Sequence, residues 1–166
     1  MVEEQFINAI KIICKRLEDE NVNWVVTGSL GMALQGMNVK VHDIDLQTDK
    51  DSAYEIEKYL SEYVVQPVAY SEAERIKSHF GTLTINGVKI EIMGAIQKRL
   101  GDKKWEEPVR VEKYKHWIET DGIQIPVLSL AYEYQAYLKL GRKEKAKMLK
   151  RWLQNQNLWA ETEISP

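Results

Sequence analysis

Asp43-Ile44-Asp45-Leu46 is the segment of this chain best suited to chemistry. Acids alternate there with apolar residues, and on a strand residues two apart face the same way, about 6.7 Å apart along the chain. Ile44 and Leu46 would enter a core while Asp43 and Asp45 face a common cleft. Two ionised carboxylates so placed repel each other, and a divalent cation makes the arrangement favourable. The alternative is a pair of exposed acids on a solvent-facing strand. Glu91 weighs against that alternative. It stands in Val88-Lys89-Ile90-Glu91-Ile92-Met93, flanked by apolar residues on a predicted central strand, where a charged group needs a partner or a metal. If that strand lies beside the one carrying Asp43, three carboxylates converge, an oxygen set suited to Mg²⁺ or Mn²⁺ bound together with substrate phosphates. The competing arrangement places Glu91 on the polar face of a sheet, with Lys89 beside it.

Thr27-Gly28-Ser29 follows a short apolar run, Trp24-Val25-Val26. Glycine lets the backbone approach a bulky anion, and Ser29 could cap the helix that follows, whose exposed amides would make a phosphate site. Glycine before serine is otherwise an ordinary strand-to-helix turn. Lys139, Arg142, Lys143, Lys145, Lys147, Lys150 and Arg151 form a basic stretch opposed only by Glu144. Lys139 is the first choice to reach a β- or γ-phosphate as a point charge. Most of the set reads as a solvated helix face around Tyr137, Leu140, Met148, Leu149 and Trp152. Binding of an RNA or acidic partner is the alternative use of that patch, and a steep salt dependence of RNA retention would reveal it. His42 reads as a polar loop residue beside the paired aspartates, and His79 and His116 have no partners at ligand spacing. Trp105 and Trp117 are candidates to line an acceptor pocket.

The elements that must position these groups follow from periodicity. Residues 3–20 carry Phe6, Ile7, Ile10, Ile13, Cys14 and Leu17 at helical spacing, and residues 51–62 carry Ala53, Ile56, Tyr59 and Leu60 on one stripe. Short strands are predicted at 24–27 and around 43–46, with a short helix from Leu30 to Gln35 between them. Tyr63 to Ala69 reads as a strand in which Pro67 marks a sheet edge or an early end. Phe80–Ile85 and Val88–Met93 are joined by Asn86-Gly87, the strongest short hairpin signal. A second hairpin joins Trp117-Ile118-Glu119 to Ile123-Gln124-Ile125 through Asp121-Gly122 and ends at Pro126. Residues 130–153 read as helix interrupted near Gly141, and the residues after Trp159 as a loose tail. The order predicts a mixed β-sheet with flanking helices, in the α/β or α+β class.

With 166 residues, 44% apolar and 29% charged, the chain is sized for a single domain spanning 1–166: a core of about 20–95, then a hairpin and helices over about 108–158. The formal net charge of −2 lacks the basic excess of a general nucleic-acid binder. Cys14 is the single cysteine, so no internal disulfide forms, and its place in Ile12-Ile13-Cys14 marks a buried structural thiol. No apolar run approaches the roughly 18–20 residues that cross a bilayer, and Glu3 and Glu4 do not suit a secretory signal. These features predict a cytoplasmic protein with no membrane partner.

Val26-Thr27-Gly28-Ser29, Asp43-Ile44-Asp45-Leu46 and Ile90-Glu91-Ile92 together resemble the nucleotidyltransferase superfamily, the DNA polymerase β-like fold, and above all its minimal bacterial and archaeal members. Thirteen residues separate Ser29 from Asp43, the long end of the family's gap, and the likeness covers about residues 24–93. It implies that Asp43 and Asp45 bind metal, that Glu91 completes the site or acts as base, and that Gly28 and Ser29 contact the triphosphate of a nucleoside triphosphate. The implied reaction is in-line attack of a hydroxyl on the α-phosphate with loss of pyrophosphate. The family's third acid is often aspartate, and glutamate reaches one methylene further. Pro126-Val127-Leu128-Ser129 and the helix with Lys139, Gly141 and Arg142 resemble bacterial antibiotic nucleotidyltransferases and abortive-infection toxins, which often continue Lys-Asp-x-x-Asp. Here Arg142-Lys143-Glu144-Lys145-Ala146-Lys147 lacks the second acid. Minimal members often act with a separate helical partner, so a non-catalytic nucleotide- or partner-binding module, in a toxin–antitoxin pair for example, is the alternative to an active enzyme. Hydrolysis by the same carboxylates ranks last, for want of additional histidines.

Overall fold

A computed structural model describes residues 2–159, and the tail expected after Trp159 lies outside them. Twelve principal elements are present: α1 (Glu4–Leu17), β1 (Trp24–Thr27), α2 (Gly28–Leu34), β2 (Ile44–Thr48), α3 (Lys50–Tyr59), β3 (Val64–Glu72), β4 (Ile76–Ile85), β5 (Val88–Lys98), β6 (Lys115–Thr120), β7 (Ile123–Leu128), α4 (Leu130–Lys139) and α5 (Lys143–Asn155). The strands form one mixed sheet in the order β3-β4-β5-β2-β1-β7-β6, with β2–β5 and β1–β7 parallel and the other neighbours antiparallel. The mixed sheet with flanking helices expected from the element order is the one observed, in the α+β rather than the α/β class.

Alternation divides the two faces of the central strands. Ile44, Leu46, Ile90 and Ile92 are fully buried and pack in one core with Ile10, Ile13 and Leu17 of α1 and Ala53 and Ile56 of α3. Asp45 and Gln47 on β2, and Glu91 and Met93 on β5, take the opposite parity and are half-buried. They line a cleft whose other wall is α4. A second small core of Met32, Met37, Leu130, Leu149 and Leu153 fastens the α4–α5 pair against α2.

Both hairpins form where the turn residues demand. Asn86-Gly87 and Asp121-Gly122 all have positive φ, the geometry whose twist matches that of the flanking strands. Gly141, at φ 75°, ends α4 and turns the chain into α5. Pro67 sits on β3, which is indeed a sheet edge. Pro126 does not end its strand as expected: β7 continues to Leu128. The β1–β7 ladder consists of the single pair Val26–Val127, so little hydrogen bonding is lost where proline has no donor. Also unlike the expectation, β4 starts at Ile76 and β5 runs to Lys98, beyond the apolar runs, because each supplies the other's pairing. The helix expected over 51–62 stops at Tyr59 and gives way to a 3₁₀ turn, Ser61–Tyr63.

Candidate active site

The parallel β2–β5 pairing sets Asp45 directly opposite Glu91, and the β1–β2 pairing sets Thr27 opposite Asp45. Asp43 lies one residue ahead of β2. Carboxylate oxygens of Asp43, Asp45 and Glu91 come within 4.8 Å of one another, and all three residues are half-buried. Lys89 Nζ pairs with Glu91 Oε1 at 3.1 Å. Burial, followed by the charges of Asp43 and Glu91, pushes the Asp45 carboxyl from 3.8 up to about 7, with Lys145 and Lys89 opposing. Three converging hard oxygens, one of them carrying that electrostatic penalty, fit a divalent cation such as Mg²⁺ or Mn²⁺.

Gly28 opens α2 with φ 65°, and a β-carbon there would land on Asp45 Oδ2. Only glycine allows the turn and the carboxylate to sit so close. Its amide is engaged by Glu133 Oε1 at 3.1 Å. Ser29 does not cap α2: the N-cap position is Thr27, which makes no side-chain cap, and Ser29 Oγ accepts from the His42 backbone amide at 3.3 Å, tying the turn to the approach to Asp43. His42 itself is exposed.

Sequence reasoning missed Glu133. It is 3% exposed, accepts from the Thr27 hydroxyl and the Gly28 amide, and lines the cleft beside Asp45. Burial pushes its carboxyl up to about 7, against the two hydrogen bonds that favour the charge. Glu133 Oε2 and Gln47 Oε1 are buried and make no hydrogen bond among the described residues. The signal was present: Leu130, Glu133, Tyr137 and Leu140 form one helical stripe, and an acid inside it must be buried.

Lys139 stands apart from the carboxylates. Its Nζ pairs with Glu106 Oε2 at 2.8 Å over a neighbouring cavity, while Arg142 and Lys98 line the cleft itself. Lys145 acts on both Asp45 and Glu133 through its charge. Trp105 is held between Lys77 and Arg99, and Trp117 is exposed over a cavity between α1 and the β6–β7 hairpin, so neither borders the carboxylates. His79 meets Tyr54, and His116 meets Gln35, each at 2.8 Å. Cys14 is half-buried rather than buried as expected, at the edge of the cavity between α1 and the β6–β7 hairpin. Desolvation, then the charge of Glu18, pushes its thiol up to about 12, as suits an inert cysteine. Among the described residues no helix is long and apolar enough to cross a membrane.

A mixed sheet that brings an Asp-x-Asp strand and a third acid against a Gly-Ser turn defines a nucleotidyltransferase. The chain belongs to the aminoglycoside-2''-adenylyltransferase family, whose sequence pattern matches residues 9–151. TM1012 of Thermotoga maritima, assigned as a nucleotidyltransferase, is 57% identical, with 93% of this chain and 96% of that one covered and a TM-score of 0.83. The fold is shared with ANT(2'')-Ia, solved with adenylyl-2''-tobramycin, at 14% identity, 95% and 96% coverage and a TM-score of 0.56. It is also shared with the lincosamide antibiotic adenylyltransferase LnuA, solved with lincomycin, at 14% identity, 90% and 97% coverage and a TM-score of 0.54. No curated protein sequence matches the chain.

Proposed function

We propose that this nucleotidyltransferase is metal-dependent and transfers a nucleoside monophosphate, AMP from ATP in the first instance, to a hydroxyl group of a small molecule. The observation that carries this reading is the convergence of Asp43, Asp45 and Glu91 beside Gly28. Asp43 and Asp45 would hold Mg²⁺ or Mn²⁺, which when bound neutralises the phosphate charge that develops during transfer. Gly28 leaves room for the Asp45 carboxylate against the turn, and Ser29 with its tie to His42 fixes that wall of the cleft. The acceptor oxygen attacks the α-phosphorus, its bond to the β-phosphate oxygen breaks, pyrophosphate departs, and Glu91 takes the hydroxyl proton. Glu91 suits this role because it reaches into the cleft from β5, on the far side of Asp45 from the Gly28 turn. The remainder of catalysis is positioning. Adenylyl-tobramycin bound to ANT(2'')-Ia and lincomycin bound to LnuA support a small-molecule acceptor and adenine as the first base to test. A lone cysteine fits work in the reducing cytoplasm. A non-catalytic module is not favoured, because all three acids converge in a member of the aminoglycoside-2''-adenylyltransferase family.

Calorimetric titration of the four nucleoside triphosphates, with and without Mg²⁺, tests the reading on wild type and Asp45→Asn. Binding that requires both the metal and Asp45 is expected. Binding of no triphosphate, or equal binding by a folded Asp45→Asn protein, contradicts it.

A further inference from the structure

The cleft changes sign from one end to the other. Glu91 stands near the start of β5 and Lys98 at its end, seven residues on. A straight strand would part their α-carbons by about 23 Å, and the local turn at Ala95, φ 54°, shortens that path. Gln47, Met93, Ile96, Ala136 and Tyr137 line the waist between the two ends. Lys98 is 5% exposed. Its Nζ donates to the Tyr132 hydroxyl at 3.1 Å and lies 5.3 Å from the Tyr132 ring centre, and it forms no ion pair among the described residues.

An adjoining cavity of about 170 Å³ shares Lys98 and adds Arg99, Lys103, Lys104 and Lys139, against the single acid Glu106. Glu106 is already engaged by Lys139. A buried ammonium without a counter-ion is unfavourable, and a cleft end lined by one sign of charge concentrates ligands of the opposite sign. Burial accordingly draws the Lys98 ammonium down to about 8, with Glu106 opposing only in part. The sheet order sets Lys98 and the Gly28 turn on opposite sides of β2: β1, which leads into the turn, flanks β2 on one side, and β5, which carries Lys98, flanks it on the other. Phosphates held by the Gly28 turn and by a cation on Asp43 and Asp45 would therefore lie toward β1, while a hydroxyl presented to Glu91 belongs to a molecule lying along β5.

We propose that Lys98 is an anion subsite for the acceptor, so that the compound receiving the nucleotidyl group carries a phosphate or carboxylate separated from its reacting hydroxyl by the waist of the cleft. The inference rests on the nucleotidyl-transfer reading and names the substrate class that it leaves open. An aminoglycoside such as tobramycin, whose amines are cationic, has the wrong charge for this end.

Inorganic phosphate is the probe. It is titrated calorimetrically into free protein and into protein saturated with Mg²⁺ and a non-hydrolysable ATP analogue, for wild type, Lys98→Met, Lys98→Gln and Lys98→Arg. Thermal melting establishes that each variant is folded, and Lys98→Gln keeps a donor for Tyr132 should Lys98→Met fail to fold. Phosphate is expected to bind the nucleotide-loaded wild type. Lys98→Met or Lys98→Gln should weaken it about tenfold or more, as loss of one charge-assisted hydrogen bond does, while Lys98→Arg retains it. The analogue should bind all four proteins alike, and tobramycin should not compete with phosphate. Phosphate that ignores the loaded wild type, or binds Lys98→Met equally well, overturns the proposal. So does a tenfold loss of analogue binding in Lys98→Met, which would assign the anion to the nucleotide itself. Failure of wild type to bind the analogue is read out separately and counts against nucleotidyl transfer rather than against phosphate at Lys98.

Discussion

Replacing Asp45 with asparagine should make the metal-free protein more stable at neutral pH, although the same change disables the site. In the fold its carboxyl is pushed from 3.8 to about 7, with burial as the largest cause and Asp43 and Glu91 adding to it. The unfolded chain thus releases this proton near pH 4 and the folded chain near pH 7. Between those values the unfolded state binds fewer protons, so stability falls as pH rises through the window and the penalty is complete above it. Three pH units at about 1.36 kcal/mol each set a ceiling of about 4 kcal/mol. Solvent relaxation around a partly exposed carboxyl reduces the expected gain to about 1–3 kcal/mol. In a chain of this size that is a rise in melting temperature of about 3–10 °C. Calorimetric melting in EDTA at pH 8 and at pH 4 reads it directly. The advantage of Asp45→Asn should be present at pH 8 and nearly gone at pH 4, and saturating Mg²⁺ at pH 8 should stabilise wild type but not the variant. An equal or lower melting temperature for Asp45→Asn at pH 8, or the same difference at both pH values, would refute the reasoning.

Gly28→Ala should cost about 3 kcal/mol, the sum of positive φ in a residue with a side chain and a β-carbon driven onto Asp45. Adding Asp45→Ala should recover about 1 kcal/mol in a double-mutant cycle by urea unfolding, and strict additivity would show that the collision is not the cause. Glu133→Ala strands the Thr27 hydroxyl and the Gly28 amide and should lose about 2–3 kcal/mol. Glu133→Gln keeps an accepting oxygen and sheds a carboxyl pushed up to about 7, so at pH 8 it should match or exceed wild type. Equal losses in the two Glu133 variants, measured in the same way, would mean that packing rather than hydrogen bonding explains the residue.

Features set within a few residues of chain are legible in the sequence itself. The alternation that buries Ile44 and Leu46 and presents Asp45 is written in consecutive residues, as are the Asn86-Gly87 and Asp121-Gly122 turns and the break at Gly141. Features set by distant pairing are not. Glu91 can be read as a strand acid, yet its place opposite Asp45 depends on a parallel pairing of strands some 45 residues apart in the chain, with α3, β3 and β4 intervening. Glu133 needs the crossing of α4 over the end of β1 to reach Thr27 and Gly28. Lys139 shows how a helix can mislead. It follows Tyr137 by two residues, about 200° around the axis, so the face that sends Glu133, Tyr137 and Leu140 into the cleft sends Lys139 to Glu106. Lys98 escapes notice because β5 outruns its apolar segment, ending where only the partner strand and the loop beyond it supply hydrogen bonds.

A crystal structure of the protein with Mg²⁺ and an α,β-non-hydrolysable ATP analogue tests the central claim most directly. The account predicts the metal on Asp43 and Asp45 with the α-phosphate beside it, the phosphates against the Gly28 turn, and Glu91 facing the α-phosphorus from β5. Nucleotide seated elsewhere, such as the cavity between Met37 and Trp152, with Asp43, Asp45 and Glu91 contacting neither metal nor phosphate, would contradict it.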